Sequence, residues 1–289
     1  MRIRTILSMT LLSSFAFSQT SSLPTVDPKT FYKNLPTSPV TATLFQEAVA
    51  AAGQLATLPI DQARDVVPLI FAAIKDDADG SKHAAMGLYA ISKRPDSGDI
   101  LKPYIANIAA LFNNPDPAFK ATAGMVLSQM QPPAPEATDI LLGFISGPTG
   151  TFGEKIDALA ALTRLPNPPK DKIDAVAIPL LKQPMAPSNL GSAIFASMYP
   201  GTSDALADAI AAHLTDTDFL VKMRVIVAFR GLGPKALGKY RGQLTKIAND
   251  PNENSAIKTF AQNTLDGKDE KCLRLQGNPP ALIPEPGCK

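Results

Sequence analysis

From about residue 40 to residue 266, apolar residues recur at i, i+3, i+4 and i+7, and short breaks of Pro, Gly, Asp and Asn interrupt the pattern. That is the period of amphipathic helices, and the two-residue alternation of half-buried strands is almost absent. The spacing predicts helices over 40–57, 64–76, 81–93, 98–113, 117–130, 135–147, 152–164, 170–183, 187–198, 203–214, 218–231, 235–249 and 253–265. In 117–130, Phe119, Ala123, Val126, Leu127 and Met130 share one stripe. Asp116 and Pro117 supply an N-cap and a first-turn proline, and Pro132 and Pro133 stop the helix. In 218–231, Asp218 caps, Val221, Val225, Ala228 and Phe229 line the apolar face, and Gly231 and Gly233 end it.

Aligning the second helix of each successive pair reveals a repeat. Lys82, Lys120, Lys155, Asn189, Lys222 and Lys258 fall at one position, 38, 35, 34, 33 and 36 residues apart. Three residues on come Ala85, Ala123, Ala158, Ser192, Val225 and Ala261; six on come Leu88, Val126, Ala161, Phe195, Ala228 and Thr264. Small residues let neighbouring helices approach, and Asp79, Asp116, Asp218 and Asn254 precede the polar position, where they can cap and pair locally with the lysine. A period near 35 with two helices per unit predicts an all-α fold, a right-handed α-solenoid of about six stacked helix pairs. Helix 40–57 then serves as an N-terminal cap, and the tail covers the C-terminal end.

With an early proline in the first helix (Pro68, Pro103), an Asp/Asn-Pro turn (Asn114–Pro115–Asp116, Asp250–Pro251) and a base in the second helix, the chain resembles the HEAT-repeat family of armadillo-type folds. The resemblance is weakest where Gly147–Pro148 replaces the turn acid and Asn189 replaces the base. It spans about 225 of the 289 residues and implies architecture rather than function. It also implies that exposed residues of the second helices line the binding face.

The ends differ in character. Residues 1–18 read as a signal peptide: Arg2 and Arg4, an apolar stretch from Ile6 to Phe17, and Ala16 and Ser18 before a cleavage site at Gln19. Residues 19–39, rich in Ser, Thr and Pro, read as a flexible leader; 40–266 form the repeat domain, and 267–289 a cysteine-containing tail. Cys272 and Cys288 are the only two cysteines. In an exported chain the pair is expected to form a disulfide, with a metal pair or a redox pair as alternatives. No stretch after the leader is long and apolar enough to span a bilayer, so the expected location is secreted or periplasmic.

Composition narrows the chemistry. The chain holds 28 Lys+Arg against 26 Asp+Glu. Without Arg2 and Arg4 the count is even, which argues against nucleic acid as a partner. Some HEAT-like proteins are enzymes, such as alkylpurine DNA glycosylases and bilin lyases, but the absence of Trp and the balanced charge speak against the former, and nothing marks a lyase site. The two histidines, His83 and His213, sit in helices without the partners that catalysis or metal binding requires. Asp76, Asp77 and Asp79 look like a fragment of a calcium loop, yet Ser81 and Gly87 stand where such a loop needs Gly and Glu. Gly147–Gly150 reads as a turn, not a phosphate loop. No cofactor or metal is expected. The strongest charge bias is the basic set Arg224, Arg230, Lys235, Lys239 and Arg241, a candidate partner-binding surface. The expected function is a non-catalytic, exported scaffold that presents a curved helical-repeat surface to a protein or peptide. The alternative is an exported enzyme or enzyme accessory with a site between repeats.

Overall fold

The computed structural model describes residues 25–35, 41–75, 81–268, 273–276 and 281–284. The expected signal peptide, the acids Asp76, Asp77 and Asp79, and both Cys272 and Cys288 lie outside the described residues. The chain divides into two compact units, residues 1–91 and 92–289.

The first unit contains α1 (Pro28–Asn34), α2 (Ala42–Leu55), α3 (Ile60–Lys75) and α4 (Ser81–Ser92). Helix α1 corrects the expectation of a flexible leader through residue 39. Asp27 accepts a hydrogen bond from the Thr30 N–H at 3.0 Å, and Pro28 follows at the first helical position. Phe31, Tyr32 and Leu35 are buried, and Lys29 pairs with Asp65 of α3 at 3.0 Å. Burial pushes the Tyr32 hydroxyl pKa well above its usual value. Gly87 of α4 is where Tyr32 lies; a Cβ there would come within 2.6 Å of its Oη.

The second unit opens with α5 (Ser97–Leu101) and α6 (Ile105–Ala110), joined by a 3₁₀ turn at Lys102–Tyr104. The single predicted helix over 98–113 is broken because Pro103 has no N–H to donate back to Asp99. There follow α7 (Pro117–Gln129), α8 (Ala137–Ser146), α9 (Phe152–Thr163), α10 (Lys170–Leu181), α11 (Pro187–Ala196), α12 (Asp204–Ala211), α13 (Phe219–Leu232), α14 (Pro234–Asn249) and α15 (Ser255–Asp266). The second helices α7, α9, α11, α13 and α15 pack on one another in chain order, and each packs on its own first helix. This unit is therefore an all-α helical repeat of five pairs; the sixth pair, α3 with α4, belongs to the first unit. Asp116, Thr151, Ser203, Asp218 and Asn254 cap their helices through side-chain oxygens. Phe119, Val126, Leu127, Leu159, Ile194, Val225, Phe229 and Ala261 share the core between helix rows.

Burial refines the repeat. The buried pattern of α7, α9 and α13 is matched in α4, α11 and α15 only when Ala84, Leu190 and Ile257 stand in line with Lys120, Lys155 and Lys222. Lys82, Asn189 and Lys258, aligned by polarity, are displaced by one or two residues.

Beyond the helices, β1 (Leu273–Gln276) pairs antiparallel with β2 (Ala281–Pro284), Leu273 opposite Pro284 and Gln276 opposite Ala281. β2 lies alongside α15. The absence of strands expected over 40–266 holds among the described residues of that range, and the hairpin lies in the tail beyond it.

Candidate functional site

The two rows of helices in the second unit present different surfaces. On the first-helix row, exposed charges pair from one repeat to the next. Lys172 reaches Asp139 at 2.8 Å, Lys235 reaches Asp204 at 2.9 Å, and Lys239 reaches Asp208, which also accepts the Tyr240 hydroxyl. The hydrogen bonds from Lys239 and Tyr240 hold the Asp208 carboxyl below its usual range, and Asp208 in turn raises Lys239. Lys235 and Lys239 sit one turn apart on α14, Asp204 and Asp208 one turn apart on α12, so the pairs form a two-rung ladder. Exposed pairs of this kind contribute little to stability, but they neutralise the surface.

The expected basic patch is thus divided. Lys235, Lys239 and Arg241 lie on α14, the first two already matched by acids. Arg241 is exposed; at the end of α15, Lys268 and Gln262 do most to lower the Asp266 pKa, and Arg241 adds to it. Arg224 and Arg230 lie on α13, in the other row. Arg230 donates through Nε to the Thr264 hydroxyl at 3.1 Å. The lysines at the repeat position also behave differently from the expectation of local pairing. Lys120 reaches Glu154 of the next repeat at 3.0 Å, with only 14% and 10% of the two side chains exposed, and Lys222 reaches Glu253 at 2.8 Å. Lys155 finds no acid ahead and donates to the Gly147 carbonyl at 2.6 Å, which makes Gly147–Gly150 a structural turn. His213 donates through Nε2 to the carbonyl of Leu181, the last residue of α10, at 3.1 Å, and the His83 ring lies edge-on to Phe45. Among the described residues no group of three or more His, Cys, Asp or Glu side chains gathers, and no helix is long and apolar enough to cross a membrane.

The second-helix row is poor in charge. In the burial-based register its outward positions form three lines: Ala118, Gly153, Ser188, Leu220 and Ser255; Thr122, Asp157, Ser192, Arg224 and Thr259; and Met125, Ala160, Phe195, Val227 and Gln262. All but Thr122 are exposed or half-buried, and only Asp157 and Arg224 are charged. Phe195 is 40% exposed and Leu220 45%. Sequence reasoning missed Phe195 as a surface residue, because aligning Asn189 instead of Leu190 put it in line with buried Val126, Ala161 and Ala228, and it gave Leu220 no role. The signal that remains visible in the sequence is α13 itself, whose apolar residues Leu220, Met223 and Val227 fall off the buried stripe.

Arg224 organises this face. Its Nη1 donates to the Ser188 carbonyl at 3.2 Å, and its guanidinium stacks over Phe195 at 5.8 Å. It lies across Gly191, where a Cβ would come 2.4 Å from Nη1. Asp157 is half-buried and accepts no hydrogen bond from a described residue; burial raises its pKa to about 6, Arg164 opposes the rise and Glu154 adds to it.

No protein-family model matches the chain, and no curated protein matches its sequence. Solved structures similar to it include an engineered protein, 17% identical over 83% of this chain and 95% of that one, with a TM-score of 0.38. A designed armadillo repeat protein in complex with the peptide (KR)4 is 14% identical over 86% and 100%, with a TM-score of 0.36. Computationally designed armadillo repeat proteins for modular peptide recognition are 14% identical over 84% and 100%, with a TM-score of 0.33.

Proposed function

We propose that the chain is an exported, non-catalytic scaffold that binds a protein or peptide across the second helices of its repeats. The observation that carries this reading is the contrast between the two rows. The first helices carry a paired, solvated charge ladder, whereas α11 and α13 expose Phe195 and Leu220 on outward lines where Arg224 is their one charge. The binding face is accordingly assigned to α11 and α13, and of the basic set only Arg224 and Arg230 belong to its row. The test is cross-linked capture from an envelope and secreted extract, read by mass spectrometry. Leu220→Asp and Phe195→Asp are expected to abolish capture of a reproducible partner, and Lys235→Glu with Lys239→Glu to retain it. The reverse ranking would move the site to α14, and capture equal for all variants would remove the scaffold reading.

Export to a secreted or periplasmic location is part of the proposal and rests on the N-terminal pattern. The mature chain is expected to begin at Gln19 and, in intact-mass analysis, to be two hydrogens lighter than its reduced form, as a Cys272–Cys288 disulfide requires. Recovery of the chain from the exporting host with Met1 retained would remove the export proposal. Two alkylatable thiols in the native protein would remove the disulfide.

A further inference from the structure

Within the second unit, lysines at five inter-repeat contacts meet carboxylates: Lys120, Lys172, Lys222, Lys235 and Lys239. Arg224 does not. Among the described residues it meets a carbonyl and an aromatic ring and forms no ion pair. Its setting is nevertheless built. Gly191 leaves the space in which the guanidinium lies, Phe195 supports its face, and Ser188 fixes one of its five N–H donors. A guanidinium held this way has lost its rotational freedom before any ligand arrives, and its remaining fork suits a carboxylate. Leu220 and Phe195 expose apolar surface beside it. In the same line, two helices away, stands the only other charge of the three outward lines, the half-buried carboxyl of Asp157. Packed helices lie about 8–10 Å apart, so two helices span roughly 20 Å, which an extended chain covers in about six residues.

We propose that this strip receives an extended peptide segment in which an acidic residue beside an apolar one docks at Arg224, Phe195 and Leu220, and a basic residue about six positions away faces Asp157. The inference rests on the binding reading above and gives its occupant a chemistry and a polarity. The carboxylate lies against the guanidinium, the neighbouring apolar side chain against Leu220 and Phe195, and the base across α11 toward α9. The occupant is assigned as a peptide because one acid and one base in a single line, about six extended residues apart, ask for opposite charges at a fixed separation along one segment, which a lipid surface does not offer; a second copy is the dimer outcome of the test.

The experiment is selection of a displayed library of random twelve-residue peptides on the full chain, followed by fluorescence anisotropy with the best enriched peptide. Enriched sequences are expected to pair Asp or Glu with Phe, Leu or Ile and to carry Lys or Arg about six positions away. Changing the acid of the peptide to its amide is expected to weaken binding about tenfold on the wild-type chain and to have no effect on Arg224→Gln, with Arg224→Lys intermediate. Asp157→Asn is expected to erase the preference for the base while leaving that for the acid. Thermal melts matching wild type for Arg224→Gln would show that loss of binding is not loss of fold. Enriched peptides without an acid, or an acid effect of equal size on Arg224→Gln, would overturn this inference and leave the binding reading standing. No enrichment, or enrichment unaffected by Leu220→Asp, would overturn both. A dimer that dissociates on Leu220→Asp would put a second copy on the face and overturn the peptide assignment.

Discussion

Gly98→Ala is expected to destabilise the second unit by roughly 3 kcal/mol and to lower its melting temperature by roughly 6–12 °C. An ideal Cβ at this position would stand 2.2 Å from the Pro132 carbonyl oxygen and 2.7 Å from its N and Cδ. These are backbone and ring atoms, which cannot swing aside as the end of a flexible side chain can. The crossing is also held from both directions. The Gly98 N–H donates to the Gln131 carbonyl at 2.8 Å, and the Gln131 N–H donates to the Ser97 hydroxyl at 2.8 Å. A methyl group can enter only by stretching both bonds, at a place where Ser97 and Gly98 are buried and water cannot replace them. Gly143→Ala is the matched control. It lies inside α8 with nothing within 4 Å of its Cβ position, so alanine there is expected to raise stability by about 0.5–1 kcal/mol. Equal melting temperatures for the two alanine variants would show that the α5–Pro132 crossing is looser than the structure places it.

This crossing was not legible in the sequence, and the reason is general for repeats. Local signals act within one element, and they were readable. Asp116–Pro117 and Asp218 start their helices where the pattern places them, and the period-3.6 stripe of α7 is buried as expected. The same Asp-Pro signal at Asp27–Pro28 was present but hidden by the Ser, Thr and Pro around it. Strands of four residues are too short for any period to declare itself, so the tail hairpin went unseen. Signals that depend on a partner some 31–36 residues away are not carried by the local pattern. The charge of a lysine marks a surface, but it says nothing of register, because a long polar side chain reaches its partner from several positions. Small and branched residues packed at one distance do fix register, and they align Leu190 and Ile257 where polarity had aligned Asn189 and Lys258. That one-residue difference moves Phe195 from core to surface and makes the candidate face visible.

Glu154 and Asp157, one turn apart on α9, are expected to give opposite pH dependences of stability. Burial pushes Glu154 upward, but the Thr151 N–H at 2.6 Å and Lys120 at 3.0 Å outweigh it and hold the carboxyl below its usual 4.5. A folded-state value below the unfolded one stabilises above pH 4.5, and the contribution is lost as pH falls through the lowered value. Glu154→Gln keeps an acceptor for the capping box and removes only the charge, leaving Lys120 nearly covered without a counterion; the expected loss is roughly 2 kcal/mol at neutral pH. For Asp157 the sign reverses. Burial raises it from 3.8 to about 6, so the folded state keeps a proton that the unfolded state releases, and its ionised form costs stability that is fully felt above pH 6 and gone below about 4. Asp157→Asn is therefore expected to gain roughly 1–2 kcal/mol at pH 7.5, a figure reduced from the full linkage value because the carboxyl keeps contact with water. The gain should vanish by pH 4. Denaturant melts of both variants between pH 4 and 8 check this: a difference for Asp157→Asn that does not change with pH would make its effect one of packing rather than ionisation. A carboxylate that weakens the fold at neutral pH, standing in the row assigned to ligand and accepting no hydrogen bond from a described residue, is what a binding residue is expected to look like. A bound base would return the stability that its ionisation removes, so the peptide that binds best should also flatten the upper limb of the wild-type pH profile.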